Sequence, residues 1–307
     1  MKVLIIKTGY SETLDGNISE TVSYGDVLRT TAILHIFKND KVTWLTDYKA
    51  IPLLEGNEYI DRIIPINSIN MFQVECEHFD VIVNLEKVPG LCALAEKVTA
   101  WKRFGFRFDF MNGKALAYER SDEALALAGN MDLKKVSKKS WVENLYDMMG
   151  ATWKGEEYIL GYKPDRKVKY DVGFNNNVGS KWPNKKWSKW DDLAARLNSD
   201  YSVSYQQSID DIRKYIDWIA SCRLIVSCDS LGAHIALALG KKLVCLFGPT
   251  LASELHSSPK LIKLVPESKN SCTPCLKPRC NKRKPCMDLI SARQVEKAVR
   301  RLLASGK

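Results

Sequence analysis

Between Cys222 and Thr250 the chain reads CRLIVSCDSLGAHIALALGKKLVCLFGPT. An apolar strand (Leu224 to Ser227) delivers Asp229 and Ser230 to a turn. Gly232 opens an apolar helix that carries His234, and a second strand (Leu243 to Phe247) ends in Gly248-Pro249-Thr250. Strand, helix and strand in this order make a parallel unit. A carboxylate, a hydroxyl and an imidazole are thereby expected around one helix N-terminus, at the carboxyl edge of the sheet. Open α/β sheets bind ligands at that edge, and a helix N-terminus favours anions. The segment has the make-up of half of a nucleotide-sugar site.

Outward from this unit the pattern repeats. In the second half, Tyr170 to Phe174 reads as a strand, Trp187 to Leu197 as a helix, Tyr201 to Tyr205 as a strand and Ile209 to Ala220 as a helix. In the first half, Val3 to Ile6, Lys41 to Thr46 and Phe79 to Leu85 read as strands, with helices over Val27 to Phe37 and Leu91 to Val98. At 307 residues the chain has room for two domains. Residues 151 to 169 make the best linker. The expected architecture is two Rossmann-like α/β domains, 1–160 and 161–307, facing one another across a cleft.

Composition narrows the class. With 45% hydrophobic and 27% charged residues the chain is globular rather than disordered. No apolar run approaches the ~20 residues that span a bilayer. The N-terminal MKVLIIK is too short in its apolar core for a signal peptide and reads as a first strand, so a cytoplasmic location is expected. A net charge of +10, densest in the C-terminal third, favours anionic partners. Diphosphates, anionic lipid and nucleic acid would each suit it, but no zinc finger, RNA-recognition signature or aromatic stacking platform supports nucleic acid.

Three further segments bear chemistry. Ser23-Tyr24-Gly25-Asp26-Val27-Leu28-Arg29-Thr30 follows the first strand. Asp26 there serves either as a carboxylate at the floor of a cleft or as a helix cap, and Gly25 lets a substrate approach the backbone. The preceding loop is long for a compact α/β unit and suits a lid or an acceptor contact. Ser180-Lys181-Trp182-Pro183-Asn184-Lys185-Lys186-Trp187 sets lysines and tryptophans between a strand and a helix, as a diphosphate site or as a basic surface loop. Cys272, Cys275, Cys280 and Cys286 fall within fifteen positions, whereas the other five cysteines scatter through the expected core. Four close thiols in a reducing compartment favour a structural metal, Zn²⁺ or a single iron, over free thiols or disulfides. No Asp-x-Asp, Gly-x-Ser-x-Gly or Walker A pattern occurs, and His35, His78 and His256 have no obvious partners.

Together these segments resemble the ADP-heptose:lipopolysaccharide heptosyltransferases, glycosyltransferase family 9. The matching pieces, in family order, are Tyr24-Gly25-Asp26-Val27-Leu28-Arg29-Thr30-Thr31, Thr43-Trp44-Leu45-Thr46-Asp47, Pro52-Leu53-Leu54-Glu55-Gly56-Asn57 and Ile60-Asp61-Arg62. Trp182-Pro183-Asn184-Lys185-Lys186-Trp187, Asp229-Ser230-Leu231-Gly232-Ala233-His234 and Leu246-Phe247-Gly248-Pro249-Thr250 complete the set. The resemblance implies a GT-B fold and an inverting, metal-independent transfer with no cofactor for catalysis. The N-terminal domain would bind acceptor and the C-terminal domain nucleotide sugar, ADP-heptose first among donors. Asp26 falls at the family's general base and Lys185 at the lysine that steadies the departing diphosphate, with Lys181 the alternative if the register slips by four. Asp229, Ser230, Gly232 and His234 match the donor loop.

Two features depart from the shortest members. One is an insertion from Gly9 to Val22. The other is the four-cysteine segment, which resembles that of iron-binding autotransporter heptosyltransferases, enzymes that glycosylate protein. The acceptor (glycolipid, glycan or protein) therefore stays open. So do a homo-oligomer, peripheral contact with the anionic cytoplasmic face of the inner membrane, and a non-catalytic nucleotide-sugar-binding scaffold.

Overall fold

The computed structural model describes residues 1–10, 21–207, 210–267 and 272–305. Most of the Gly9 to Val22 insertion lies outside them. The chain divides into two compact units, Met1–Tyr162 and Lys163–Lys307.

In chain order the first unit holds β1 (Lys2–Ile6), α1 (Tyr24–Thr30), β2 (Lys41–Thr46), α2 (Ile51–Leu54), β3 (Arg62–Pro65), α3 (Ser68–Glu75), β4 (His78–Asn84) and α4 (Pro89–Lys97). It continues with β5 (Thr99–Phe108), β6 (Ala115–Ala117), α5 (Asp122–Gly129), α6 (Met131–Val136) and α7 (Trp141–Met148). The sheet order is β3-β2-β1-β4-β5-β6, parallel throughout except for the β5–β6 hairpin at its edge. Along β1 the side chains alternate between two cores. Val3 and Ile5 pack with Trp44, Val81 and Val83, while Leu4 and Ile6 pack with Leu45, Ile82 and Leu91. A strand buried on both faces is read as a continuous apolar run, and β1 is such a strand.

The helix expected over Val27 to Phe37 is instead a short α-helix that tightens into a 3-10 turn over Thr31–His35. Two adjacent threonines account for this. Thr30 Oγ1 donates to the Asp26 carbonyl (2.7 Å) and Thr31 Oγ1 to that of Leu28 (2.6 Å). Such back-bonding competes with regular helical hydrogen bonds. The presumed linker is also partly bound. Ile159 N–H donates to Thr31 Oγ1 and Gly161 N–H to the Leu53 carbonyl, which straps the segment to the first unit up to its boundary at Tyr162.

The second unit holds β7 (Tyr170–Asn175), α8 (Trp190–Leu197), β8 (Val203–Tyr205), α9 (Ile212–Ala220), β9 (Cys222–Cys228), α10 (Leu231–Ala238), β10 (Lys242–Leu246), β11 (Leu261–Leu264) and α11 (Ala292–Ala304). Its five parallel strands run β11-β10-β9-β7-β8. Val172, Phe174, Leu224, Val226, Val244 and Leu246 line one face of the sheet. Trp190, Leu193 and Leu197 from α8 and Val295, Val299 and Leu302 from α11 pack on that face. The capping box of Ser291 and Gln294 starts α11. In this order the chain reverses direction across the sheet between β7 and β9, so the loops after these two strands diverge there. That is the position at which doubly wound sheets bind ligands. In the first unit the equivalent point lies between β1 and β4.

Candidate functional site

In the second unit the residues singled out by sequence converge on the divergence between β7 and β9. Asp229 follows β9, and Lys185 lies in a 3-10 turn (Pro183–Lys185) of the loop after β7. Lys185 Nζ donates to Asp229 Oδ2 at 2.9 Å and to the Asp229 carbonyl at 2.8 Å. The ammonium also lies 5.1 Å from the centre of the Trp182 ring. Burial acts to raise the Asp229 pKa, but the charges of Lys185 and His234 override it and hold the carboxyl well below the usual carboxylate range. Lys181 is half-buried four residues upstream in the same loop.

Ser230 precedes α10 in an extended conformation, and its side chain does not cap the helix. Its hydroxyl instead accepts from Asn175 Nδ2 at 2.9 Å. The same Nδ2 reaches Ser227 Oγ at 2.7 Å, and Tyr215 OH donates to Asn175 Oδ1 at 2.6 Å. A helix start without a side-chain acceptor keeps its electropositive character available to an anion. Gly232 serves this network. A Cβ there would lie 2.4 Å from both Asn175 Nδ2 and Tyr215 OH. Side chains of the protein therefore occupy the space beside Gly232. His234 is buried in the same helix.

In the first unit Asp26 sits in the opening turn of α1, but it does not cap the helix. The cap position belongs to Ser23. The Asp26 carboxylate pairs with Arg29 (Oδ1 to Nη2, 2.7 Å), and the Arg29 guanidinium lies over the Trp141 ring at 4.4 Å. Both partners keep some exposure, 19% for Asp26 and 14% for Arg29. Gly25 is half-buried beside it in the same helix. Where β1 and β4 diverge, Lys7 and Glu86 form a fully buried pair at 3.4 Å. Glu86 Oε1 accepts the N–H groups of Thr8 and Gly9, each at 2.8 Å. A buried carboxylate with these partners sets the path by which the chain leaves β1.

The four-cysteine segment packs against the loops that carry Lys185 and Thr250. Cys275 Sγ accepts from Asn184 Nδ2 at 3.6 Å, and Leu276 N–H donates to the Pro249 carbonyl at 2.8 Å. Gly248 lies against Cys286 and Met287, since a Cβ there would come within 2.8 Å of Cys286 Sγ and 2.6 Å of Met287 Sδ. Lys282 Nζ donates to Cys272 Sγ at 3.0 Å, which lowers that thiol's pKa. Burial raises the pKa of Cys286, and the other three sulfurs add to the rise. The four groups are thus neighbours that feel one another's charge, though among the described residues no three His, Cys, Asp or Glu side chains are placed to hold a metal ion. Of the remaining cysteines, Cys76 is exposed rather than in the core, whereas Cys92, Cys222, Cys228 and Cys245 are buried.

Sequence reasoning passed over Asn175, Tyr215, Ser227, Arg29 with Trp141, and the Lys7–Glu86 pair. Only Glu86, a charge directly after an apolar strand, carried a signal that could have been read. The others also act through partners between 40 and 112 positions away.

Residues 211–285 match the profile of glycosyltransferase family 9 (heptosyltransferase). No curated protein is similar enough in sequence to register as a relative. Solved structures share the fold. A glycosyl transferase family 9 protein from Veillonella parvula DSM 2008 is similar at TM-score 0.72 and 17% identity, over 99% of this chain and 98% of that one. The E. coli ADP-heptose LPS heptosyltransferase II is similar at TM-score 0.66 and 15% identity, over 99% of each chain. TibC, the iron-containing dodecameric glycosyltransferase of enterotoxigenic E. coli H10407, is similar at TM-score 0.60 and 12% identity, over 100% of this chain and 77% of its own.

Proposed function

We infer that this chain belongs to glycosyltransferase family 9, the heptosyltransferases, because residues 211–285 match that family's profile and the chain shares the fold of solved family members. It is a glycosyltransferase that moves a heptose or related sugar from a nucleoside diphosphate donor, ADP-heptose first among the candidates, to a surface-glycan acceptor such as lipopolysaccharide, on the cytoplasmic side of the membrane. Among the described residues no helix is long and apolar enough to cross a membrane.

The observation that carries this reading is the Lys185–Asp229 pair beside the uncapped start of α10. An ammonium has three N–H bonds. Two are spent on Asp229, which aims the group and leaves one for a phosphate oxygen. As the bond between the anomeric carbon and the diphosphate oxygen breaks, its electron pair leaves with the diphosphate. Lys185 and the N–H groups of α10 stabilise that growing charge without help from a divalent ion. The acceptor oxygen attacks the anomeric carbon from the opposite face, and Asp26 takes its proton. Inversion follows from a single displacement. Asp229, Ser230 and His234 shape the donor side, Gly232 by making room for Asn175 and Tyr215, and Gly25 the acceptor side.

The donor set of Cys272, Cys275, Cys280 and Cys286 is chemically suited to zinc or iron. These four residues would hold the ion, which would supply a structural cross-link in place of the charge now provided by Lys282. No step of transfer runs through it. The same segment favours a second reading, transfer to protein, because TibC is iron-containing.

Thermal unfolding of the purified chain with a panel of nucleotide sugars tests the assignment. A bound ligand stabilises by RT ln(1 + [L]/Kd), so ADP-heptose and ADP are expected to raise Tm above all other members of the panel. Indifference to every ADP compound would overturn the reading. Donor binding without turnover on glycolipid, glycan or protein would leave the scaffold alternative.

A further inference from the structure

We propose that Asn184 is a positioning residue through which the four-cysteine segment sets Lys185 for the donor diphosphate. The proposal rests on the reading of Lys185 given above. The loop that presents Lys185 is tied to the segment 275–290 on both sides of that lysine. On one side Asn184 N–H donates to the Pro278 carbonyl (3.0 Å), while its Nδ2 donates to the Lys277 carbonyl (3.0 Å) and meets Cys275 Sγ (3.6 Å). On the other side Trp187 Nε1 donates to the Ile290 carbonyl (3.0 Å), and Ser188 Oγ to Asp288 Oδ1 (2.6 Å). Lys185 lies between these attachments.

Asn184 is 6% exposed, and among the described residues its Oδ1 has no hydrogen-bond partner. Its amide is therefore oriented by the acceptors that its Nδ2 meets in the cysteine segment. Cys275 and Leu276 stand at the same junction, where Leu276 N–H donates to the Pro249 carbonyl of the loop after β10. One short stretch thus braces both loops that flank Asp229. Order in this segment becomes geometry at Lys185, whether a metal ion or packing alone supplies that order.

A double-mutant cycle on ADP affinity, measured by calorimetry, tests the coupling. Losing the buried amide is expected to weaken ADP binding about 5- to 10-fold in Asn184→Ala. In a Lys185→Ala background the same change should have little further effect, because Asn184 acts through Lys185. A purely structural role would make the two losses additive, and additivity overturns the proposal. So does an Asn184→Ala protein that binds ADP within twofold of the wild type. If Lys185→Ala alone binds ADP as the wild type does, the donor-site reading itself falls and takes the proposal with it, a result distinct from either of the others. Should Asn184→Ala fail to fold, hydrogen exchange in the wild-type chain decides. Coupling is reciprocal, so ADP should slow exchange of the Asn184 and Leu276 amides several-fold, and unchanged exchange at saturating ADP would refute it.

Discussion

Asp26 and Lys185 each carry an ion-pair partner that limits what they can do. Arg29 holds the Asp26 carboxylate and is itself held over Trp141, so the carboxylate is oriented, as the proposed general base needs. Asp26→Asn keeps the size of the side chain and removes its basicity. Turnover is expected to fall by ~10²-fold or more with ADP binding retained, as steady-state rates and calorimetry would show. Near-normal turnover would return Asp26 to a structural role.

For Lys185 the expected order is that Lys185→Ala impairs turnover and ADP affinity more than Lys181→Ala, since Lys185 is paired with Asp229 beside the start of α10. Its loss has a second signature. The folded-state pKa of Asp229 lies below its unfolded value of about 3.9, so the pair contributes stability that is present above that pH and is lost as pH falls through the folded value. Lys185→Ala should therefore cost about 1–3 kcal/mol at neutral pH and shrink the difference from wild type in strongly acidic solution. Urea denaturation at pH 7 and below pH 3 would measure both.

At the scale of elements, the start of α10 shows a glycine whose space is claimed by the protein's own side chains. Gly232 stands where a donor loop wants a small residue, but its space is filled by Asn175 and Tyr215. Gly232→Ala should thus destabilise the fold by about 1–3 kcal/mol through overpacking, with a lowered Tm in the absence of any ligand. An unchanged Tm, with only ADP affinity reduced, would mean that the ligand rather than the network needs the space. Gly248 stands under similar steric demand from Cys286 and Met287, which links the loop after β10 to the cysteine segment.

At the scale of the whole molecule, the second unit is closed by α11 and by the segment that precedes it. That segment touches the loops of Lys185 and Thr250, and its end (Met287, Ile290) shares a core with α11. If a metal ion occupies it, elemental analysis of tag-free protein should find one zinc or iron per chain. Because binding energy of a structural metal is largely folding energy, Cys275→Ser should lower both Tm and ADP affinity. Metal-free protein with four reactive thiols and an unchanged Tm would leave the segment held by packing alone.

What the sequence determined by itself were the features that local chemistry dictates. The apolar runs of β1, β9 and β10 are buried on both faces and read as parallel-sheet strands, and Asp229 at the end of such a run stands at the carboxyl edge of a sheet. Strands at or near the sheet edges were harder to read. Only three of the ten residues of β5 are buried, and β3 and β11 are four residues long, so neither period nor length marked them. Only the tertiary structure could show that Lys185 meets Asp229 across 44 positions, that Asn175 fills the space at Gly232, or that Asn184 rests on Cys275. Each of these contacts is made by loops that the sheet order brings side by side, and no local propensity encodes which loops those will be. Side-chain partners chosen by topology are invisible until the strands are in order.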